Sequence, residues 1–194
     1  MTKKIYLGSV EIYAPREIVM EALKYISGGT ALDLGAGFGR HSLFLASKGF
    51  VVTAVETGAE QIENLKEKAS KLNVLIRTEN TDIRHFDPHG QQYDLILSTM
   101  VLHFLSNQKE VITTIQKMKE ATRQGGINVI SIYTDKSQAG LRPCLLNVEE
   151  LRKLYSEWEI IRLDELKGDD IVDGPEKGKL IWRVEMIAKK RLSR

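Results

Sequence analysis

The chain has 194 residues, 42% of them hydrophobic, with 28 basic against 26 acidic side chains and a formal charge of +2. That length suits one domain whose core needs no staples, and so balanced a charge gives no argument for nucleic acid or another polyanionic partner. The single cysteine, Cys144, excludes an internal disulfide and a multi-cysteine metal site, no apolar run nears the roughly 20 residues of a membrane span, and Met1–Tyr6 lacks the apolar core of a secretory signal, so a cytoplasmic setting is expected.

In chain order, a polar start leads to Ala14-Pro15-Arg16-Glu17, which opens a helix: proline stands where a missing N–H costs nothing, and an acid lies in the first turn. Ile18, Val19, Ala22, Leu23 and Ile26 then share one face at helical spacing, and Gly28-Gly29 ends the element. Tyr13, just before it, reads either as an anchor for the entering chain or as part of a lid over a pocket.

The next stretch, Thr30-Ala-Leu-Asp-Leu-Gly-Ala-Gly-Phe-Gly-Arg40, reads as a short buried strand, a glycine turn and the start of a helix that runs to Lys48 and stops at Gly49. A dinucleotide fingerprint needs a third glycine three residues after the second, but Arg40 stands there. The glycines alternate instead, as Gly35, Gly37 and Gly39, with Asp33 two residues ahead of them. A carboxylate at the mouth of such a turn repels a pyrophosphate and attracts a cation. S-adenosylmethionine, with an ammonium and a sulfonium and no phosphate, is a ligand of that kind. The strand Phe50–Val55 is followed at once by Glu56, whose carboxylate can accept both hydroxyls of a ribose.

From Gly58 to Leu72 a crossover helix is expected, with its charges on a solvated face. Val74–Arg77 reads as the third strand and Asn80–Ile83 as the loop after it. Tyr93–Ser98 is a fourth strand covered on both faces, and its carboxyl end, Ser98 to Leu105, faces the ligand side of an open sheet. His103 lies there, as a general base or as a half-buried packing residue. A helix from Asn107 to Thr122 buries Val111, Ile112, Ile115 and Met118; Arg123–Gly126 then turns into the strand Ile127–Ile132. The loop from Tyr133 to Leu146 holds Arg142 and Cys144, the latter without an evident histidine partner that would make it a nucleophile. Asn147 caps another helix. Two strands, 159–163 and 180–188, form a closing antiparallel hairpin across an acidic segment that reads as a solvated loop rather than a metal site.

The run Leu32–Gly39 with the strand-end Glu56 resembles the class I S-adenosylmethionine-dependent methyltransferases. More narrowly the chain is similar to the tellurite-resistance methyltransferase family, through Gly39-Arg40, Ser42-Leu43, Leu45-Ala46 and Gly49, then Tyr93–Thr99, Gly125-Gly126, Glu150-Leu151-Arg152, Tyr155 and Trp158-Glu159. The expected fold is an α/β, doubly wound, Rossmann-like sheet of seven strands, mostly parallel with a C-terminal antiparallel hairpin and helices on both faces. One domain spans 1–194: an N-terminal helical lid or packing segment (1–29), a cofactor-binding core (30–134), and a substrate-side loop, helix and hairpin (135–194).

The resemblance implies a cofactor set of Asp33, Gly35, Ala36, Gly37, Gly39, Arg40, Glu56, Thr57, Asp82, Ile83, Ser98 and Thr99. Within it, Asp82 accepts from the adenine amine and Ile83 lies on the ring; the alternative for Asp82 is an Asx turn. Tyr13, His103 and Arg142 face the substrate, and no catalytic residue is assigned. The family's histidine-arginine pair in the hairpin region has no counterpart, because no histidine follows His103. The activity implied is in-line methyl transfer from S-adenosylmethionine, yielding S-adenosylhomocysteine, to a small acceptor: a tellurite- or selenite-type oxyanion, a thiol or a metabolite. A cofactor-binding module without catalysis, a nucleic-acid methyltransferase and an NAD-dependent oxidoreductase are the alternatives.

Overall fold

Short apolar runs joined by helices leave the strands no partner but one another, and they pair side by side. The structure, a computed structural model, describes residues 3–137, 146–168 and 180–192. In chain order these residues form β1 (Lys4–Leu7), β2 (Val10–Tyr13), α1 (Glu17–Ala22), β3 (Thr30–Leu34), α2 (Arg40–Ser47), β4 (Val51–Glu56), α3 (Ala59–Lys71), β5 (Ile76–Asn80) and β6 (Tyr93–Thr99). A 3₁₀ turn (Leu102–Phe104), α4 (Gln108–Ala121), β7 (Thr122–Tyr133), α5 (Val148–Leu154), β8 (Glu159–Gly168) and β9 (Ile181–Lys189) follow.

The main sheet has the order β5-β4-β3-β6-β7-β9-β8. Pairing is parallel from β5 to β7 and antiparallel through β9 and β8. Strand order reverses between β3 and β6, so a crevice opens beyond their carboxyl ends. Alternation along the strands serves two layers: Leu32, Leu34 and Ile96 join the core under α4 and α5, whereas Ala31, Leu95 and Leu97 join the core with Ile18, Val19 and Leu45 of α1 and α2. Among the described residues, no helix is long and apolar enough to cross a membrane.

Four expectations change. The polar start is a β-hairpin, β1 with β2, whose Val10 and Ile12 pack on Ala36, Leu43 and Leu65. Helix α1 ends at Ala22 rather than Ile26, and tighter turns carry the chain on, with Lys24 and Tyr25 donating to the carbonyls of Glu21 and Ala22. The third strand is Ile76–Asn80: Asn73, at φ 52°, and the Val74 N–H bonded to Ala69 O end the preceding helix, and Leu75 is 83% exposed. The apolar run Val74-Leu75 is thus a helix terminus. Finally, β7 starts at Thr122 directly after α4, with its register broken between the pairs of Tyr93 and Leu95; Gly125 lies inside that irregular stretch rather than in a separate turn.

Candidate functional site

At the end of β3 the chain must reverse, and Val55 O accepts from both Gly35 N (2.9 Å) and Ala36 N (3.0 Å) to hold the reversal against β4. Gly35 has φ 74°, and a Cβ there would lie 2.4 Å from Val101 Cγ2. Gly39, at φ 79°, precedes α2, and its Cβ would lie 2.3 Å from Leu65 Cδ1. Both positions therefore exclude side chains twice over, by dihedral and by contact.

Glu56 ends β4 beside this turn. Its Oε2 accepts from Gly37 N at 2.8 Å, and its Oε1 accepts from Thr57 N at 2.8 Å and Gly58 N at 3.0 Å. The carboxylate thus ties the glycine turn to the start of the next helix. Since a carboxylate offers about four acceptor positions, capacity remains at Oε2.

Two cavities open on either side of the turn and share Gly35 and Met100 as a common wall. The smaller, of about 270 Å³, is lined by Tyr13, Arg16, Ala36, Gly37, Arg40, His41, Lys68 and Thr99, among others. Among the described residues it has three cationic side chains and no acid. The Arg40 guanidinium lies 5.4 Å from the centre of the Tyr13 ring. The larger, of about 330 Å³, is lined by Glu56, Thr57, Asp82, Ile83, Arg84, Val101, Phe104 and Leu105. Met100 between them has φ 58°, a conformation an unbranched L side chain seldom adopts.

In the larger cavity, Asp82 Oδ1 accepts from Arg84 N at 2.8 Å, which is the Asx turn, and the Arg84 guanidinium adds bonds at 3.0 and 2.8 Å. That pairing lowers the Asp82 pKa below the usual carboxylate value. Asp82 makes the Asx turn and also lines the cavity.

Asp33 is not at the mouth. It is 1% exposed, lines neither cavity and accepts from Ser42 Oγ at 2.6 Å, so it anchors the first turn of α2 beneath the glycines. Burial drives its pKa up to about 6, against the Ser42 hydrogen bond. Ser98 is likewise buried in the strand, and Gly39 acts as the helix cap; neither is among the residues lining these two cavities. His103, 2% exposed, stacks on Tyr133 with ring centres 4.1 Å apart and lines neither cavity, which is the packing reading. Tyr13 lines the smaller cavity. Arg142, Cys144 and the acidic segment 169–179 lie outside the described residues.

Residues that sequence reasoning missed are Arg16, His41, Lys68, Met100, Val101 and Arg84. His41 stands one place after Arg40 in the turn following the glycines, a position that itself signals proximity. Arg16 and Lys68 come to the cavity from segments distant in sequence, and only the packing of β2 and α3 around the turn brings them in.

A doubly wound sheet with a glycine turn at its strand-order reversal and an acid at the next strand end defines a Rossmann-like methyltransferase fold. The crystal structure of TehB from Haemophilus influenzae superposes with a TM-score of 0.81 at 32% identity, over 91% of this chain and 63% of that one. A second match, the crystal structure of a S-adenosylmethionine-dependent methyltransferase from Clostridium acetobutylicum, has a TM-score of 0.69 at 13% identity over 90% of both chains, a likeness of fold alone. The tellurite resistance protein TehB family matches residues 2–181, and the chain belongs to that family. A curated relative, the probable S-adenosyl-L-methionine-dependent methyltransferase TehB of H. influenzae, is 37% identical over 154 residues, which are 78% of this chain and 53% of that protein. The chain thus spans about half the length of that relative.

Proposed function

We propose that the paired cavities bind S-adenosylmethionine and that the protein transfers its methyl group to a small acceptor. The observation that carries this reading is the make-up of the crevice: among the described residues, Arg16, Arg40 and Lys68 line one half, while Glu56, Asp82 paired with Arg84, and apolar Ile83 and Leu105 line the other. A ligand with a carboxylate at one end and an adenosine at the other matches that division. Together the two volumes, about 270 and 330 Å³, fall in the range of roughly 300 to 1,000 Å³ typical of ligand pockets, and membership of the TehB family supports the same cofactor.

In this reading Glu56 accepts from a ribose hydroxyl at Oε2, where one acceptor position remains. Asp82 accepts from the adenine amine, Ile83 lies against the ring, and Arg16 and Arg40 face the carboxylate. Gly37 lines the cavity, and a Cβ added to it would meet no atom within 4 Å, so its backbone leaves room for the ligand. When bound, S-adenosylmethionine supplies an activated methyl group on a sulfonium. The residues around it align the acceptor and exclude water, an effect that offsets roughly 7 to 11 kcal/mol of barrier. No general base is assigned, since His103 lies outside the crevice. The cationic half suits an anionic acceptor of the tellurite or selenite type over a neutral metabolite.

Thermal unfolding with S-adenosylmethionine, S-adenosylhomocysteine and NADH in parallel tests the cofactor. A ligand at about a hundred times its Kd adds about 2.7 kcal/mol, which raises the midpoint of a domain this size by roughly 5 to 10 °C. A shift with both adenosyl ligands and none with NADH is expected. A shift with NADH alone would overturn the assignment. Release of S-adenosylhomocysteine on addition of tellurite, selenite or thiols then identifies the acceptor class.

A further inference from the structure

The first turn of α2 places a histidine where neither motif nor periodicity marks one. His41 is 4% exposed and lines the smaller cavity. Two groups fix its ring. The main-chain N–H of Arg16, at the start of α1, points to Nε2 at 3.4 Å, and Thr99 Oγ1 lies 3.2 Å from Nδ1. A main-chain N–H can only donate, so Nε2 carries no proton. Burial first, then the Arg40 and Arg16 cations, push the His41 pKa down to about 3, which leaves the ring neutral at physiological pH. Its one proton therefore sits on Nδ1.

With that proton in place the Thr99 hydroxyl is the acceptor of the bond to His41, and its own proton is not used there. Thr99 lines the same cavity wall, at the carboxyl end of β6. From this geometry we infer that His41 is a positioning residue, which holds the Thr99 hydroxyl as a hydrogen-bond donor to an anionic oxygen of the ligand in the smaller cavity. An anionic ligand suits that cavity because, among the described residues, its charged lining consists of Arg16, Arg40 and Lys68. The oxygen belongs either to the carboxylate of the cofactor or to an oxyanion acceptor. The choice of ligand rests on the proposed function, whereas the proton's position on the ring does not.

Two measurements on the intact protein test the inference. In two-bond ¹H–¹⁵N correlation spectra, His41 should show a neutral, Nδ1-protonated ring that does not titrate between about pH 5 and 8. Protonation on Nε2, or titration in that window, would overturn it without need of any variant. Binding is then compared for Thr99→Val and Thr99→Ser by calorimetry, using S-adenosylhomocysteine, 5′-methylthioadenosine, which lacks the carboxylate, and selenite added to the S-adenosylhomocysteine complex.

Loss of a hydrogen bond to a charged oxygen weakens binding roughly tenfold or more. Weaker S-adenosylhomocysteine with unchanged 5′-methylthioadenosine in Thr99→Val assigns the bond to the cofactor carboxylate; weaker selenite alone assigns it to the acceptor. Thr99→Ser should restore either. His41→Asn, whose amide N–H falls near the place of Nδ1–H, should resemble the unmodified protein, and His41→Leu should resemble Thr99→Val. If Thr99→Val binds every probe normally while the unmodified protein binds S-adenosylhomocysteine, this inference fails and the proposed function stands. If the unmodified protein binds no adenosyl ligand, both fall.

Discussion

Two glycines in one turn separate steric from dihedral strain. Gly35 and Gly37 both have positive φ, 74° and 54°. An alanine at Gly37 meets no atom within 4 Å, so only the left-handed backbone is penalised, by about 1 to 2 kcal/mol. An alanine at Gly35 bears the same penalty and also drives its Cβ to 2.4 and 2.6 Å from Val101 Cγ2 and Cβ. Val101 is β-branched and cannot swing clear at low cost, so overpacking adds about 1 to 3 kcal/mol. Gly35→Ala should therefore lose about 2 to 5 kcal/mol in urea unfolding, and its midpoint temperature should drop by about 2 to 4 °C for each kcal/mol. In a double-mutant cycle, Val101→Ala should recover the steric part, with a coupling of about 1 to 3 kcal/mol. Equal losses at the two glycines, or a coupling near zero, would refute the close approach.

Glu56→Ala should weaken S-adenosylmethionine by roughly ten- to a hundredfold, the worth of a charged hydrogen bond; an unchanged Kd in calorimetry would remove Glu56 from the site. The raised pKa of Asp33 means the folded state holds its proton between about pH 6 and the ordinary value of 3.8, so acidification through that window stabilises the fold at this residue. His41 acts oppositely: the unfolded chain takes a proton below about pH 6.5 and the folded one does not until about pH 3, so the same acidification destabilises. Urea titrations should show stability falling more steeply from pH 6 to 4 in Asp33→Asn than in the unmodified protein, and parallel profiles would contradict the buried carboxyl. His103→Phe should keep its stacking on Tyr133 and keep turnover, whereas loss of the 10²- to 10⁴-fold that a general base supplies would reinstate His103 as catalytic.

The seven strands of the main sheet were legible because most of them hold an apolar run bounded by its own punctuation. An exception, β5, has the polar sequence Ile76-Arg-Thr-Glu-Asn80 at the sheet edge, where exposure removes the hydrophobic signal and the neighbouring Val74-Leu75 misleads. The hairpin β1–β2 escaped for a related reason: its two strands have four residues each, too few for alternation to stand out. At the site, the glycine turn and Glu56 were readable because backbone chemistry demands them. Asp33 was misplaced for want of depth: sequence shows that a carboxylate precedes the glycines but not that it points under them. His41 and Arg16 became neighbours through packing across 25 residues, which no local pattern records.

A two-stranded sheet is marginal by itself in water, so β1 and β2 stay ordered through Val10 and Ile12 resting on the helices behind the glycine turn. Yet Ile12 and Tyr13 form part of the smaller cavity's wall. The least self-sufficient element is thus in contact with whatever occupies the crevice, and occupancy raises the free energy of its local opening. Amide exchange at Ile12 should slow in step with saturation while the amides of β3 and β6 keep their rates, making the hairpin a gauge of the site's filling.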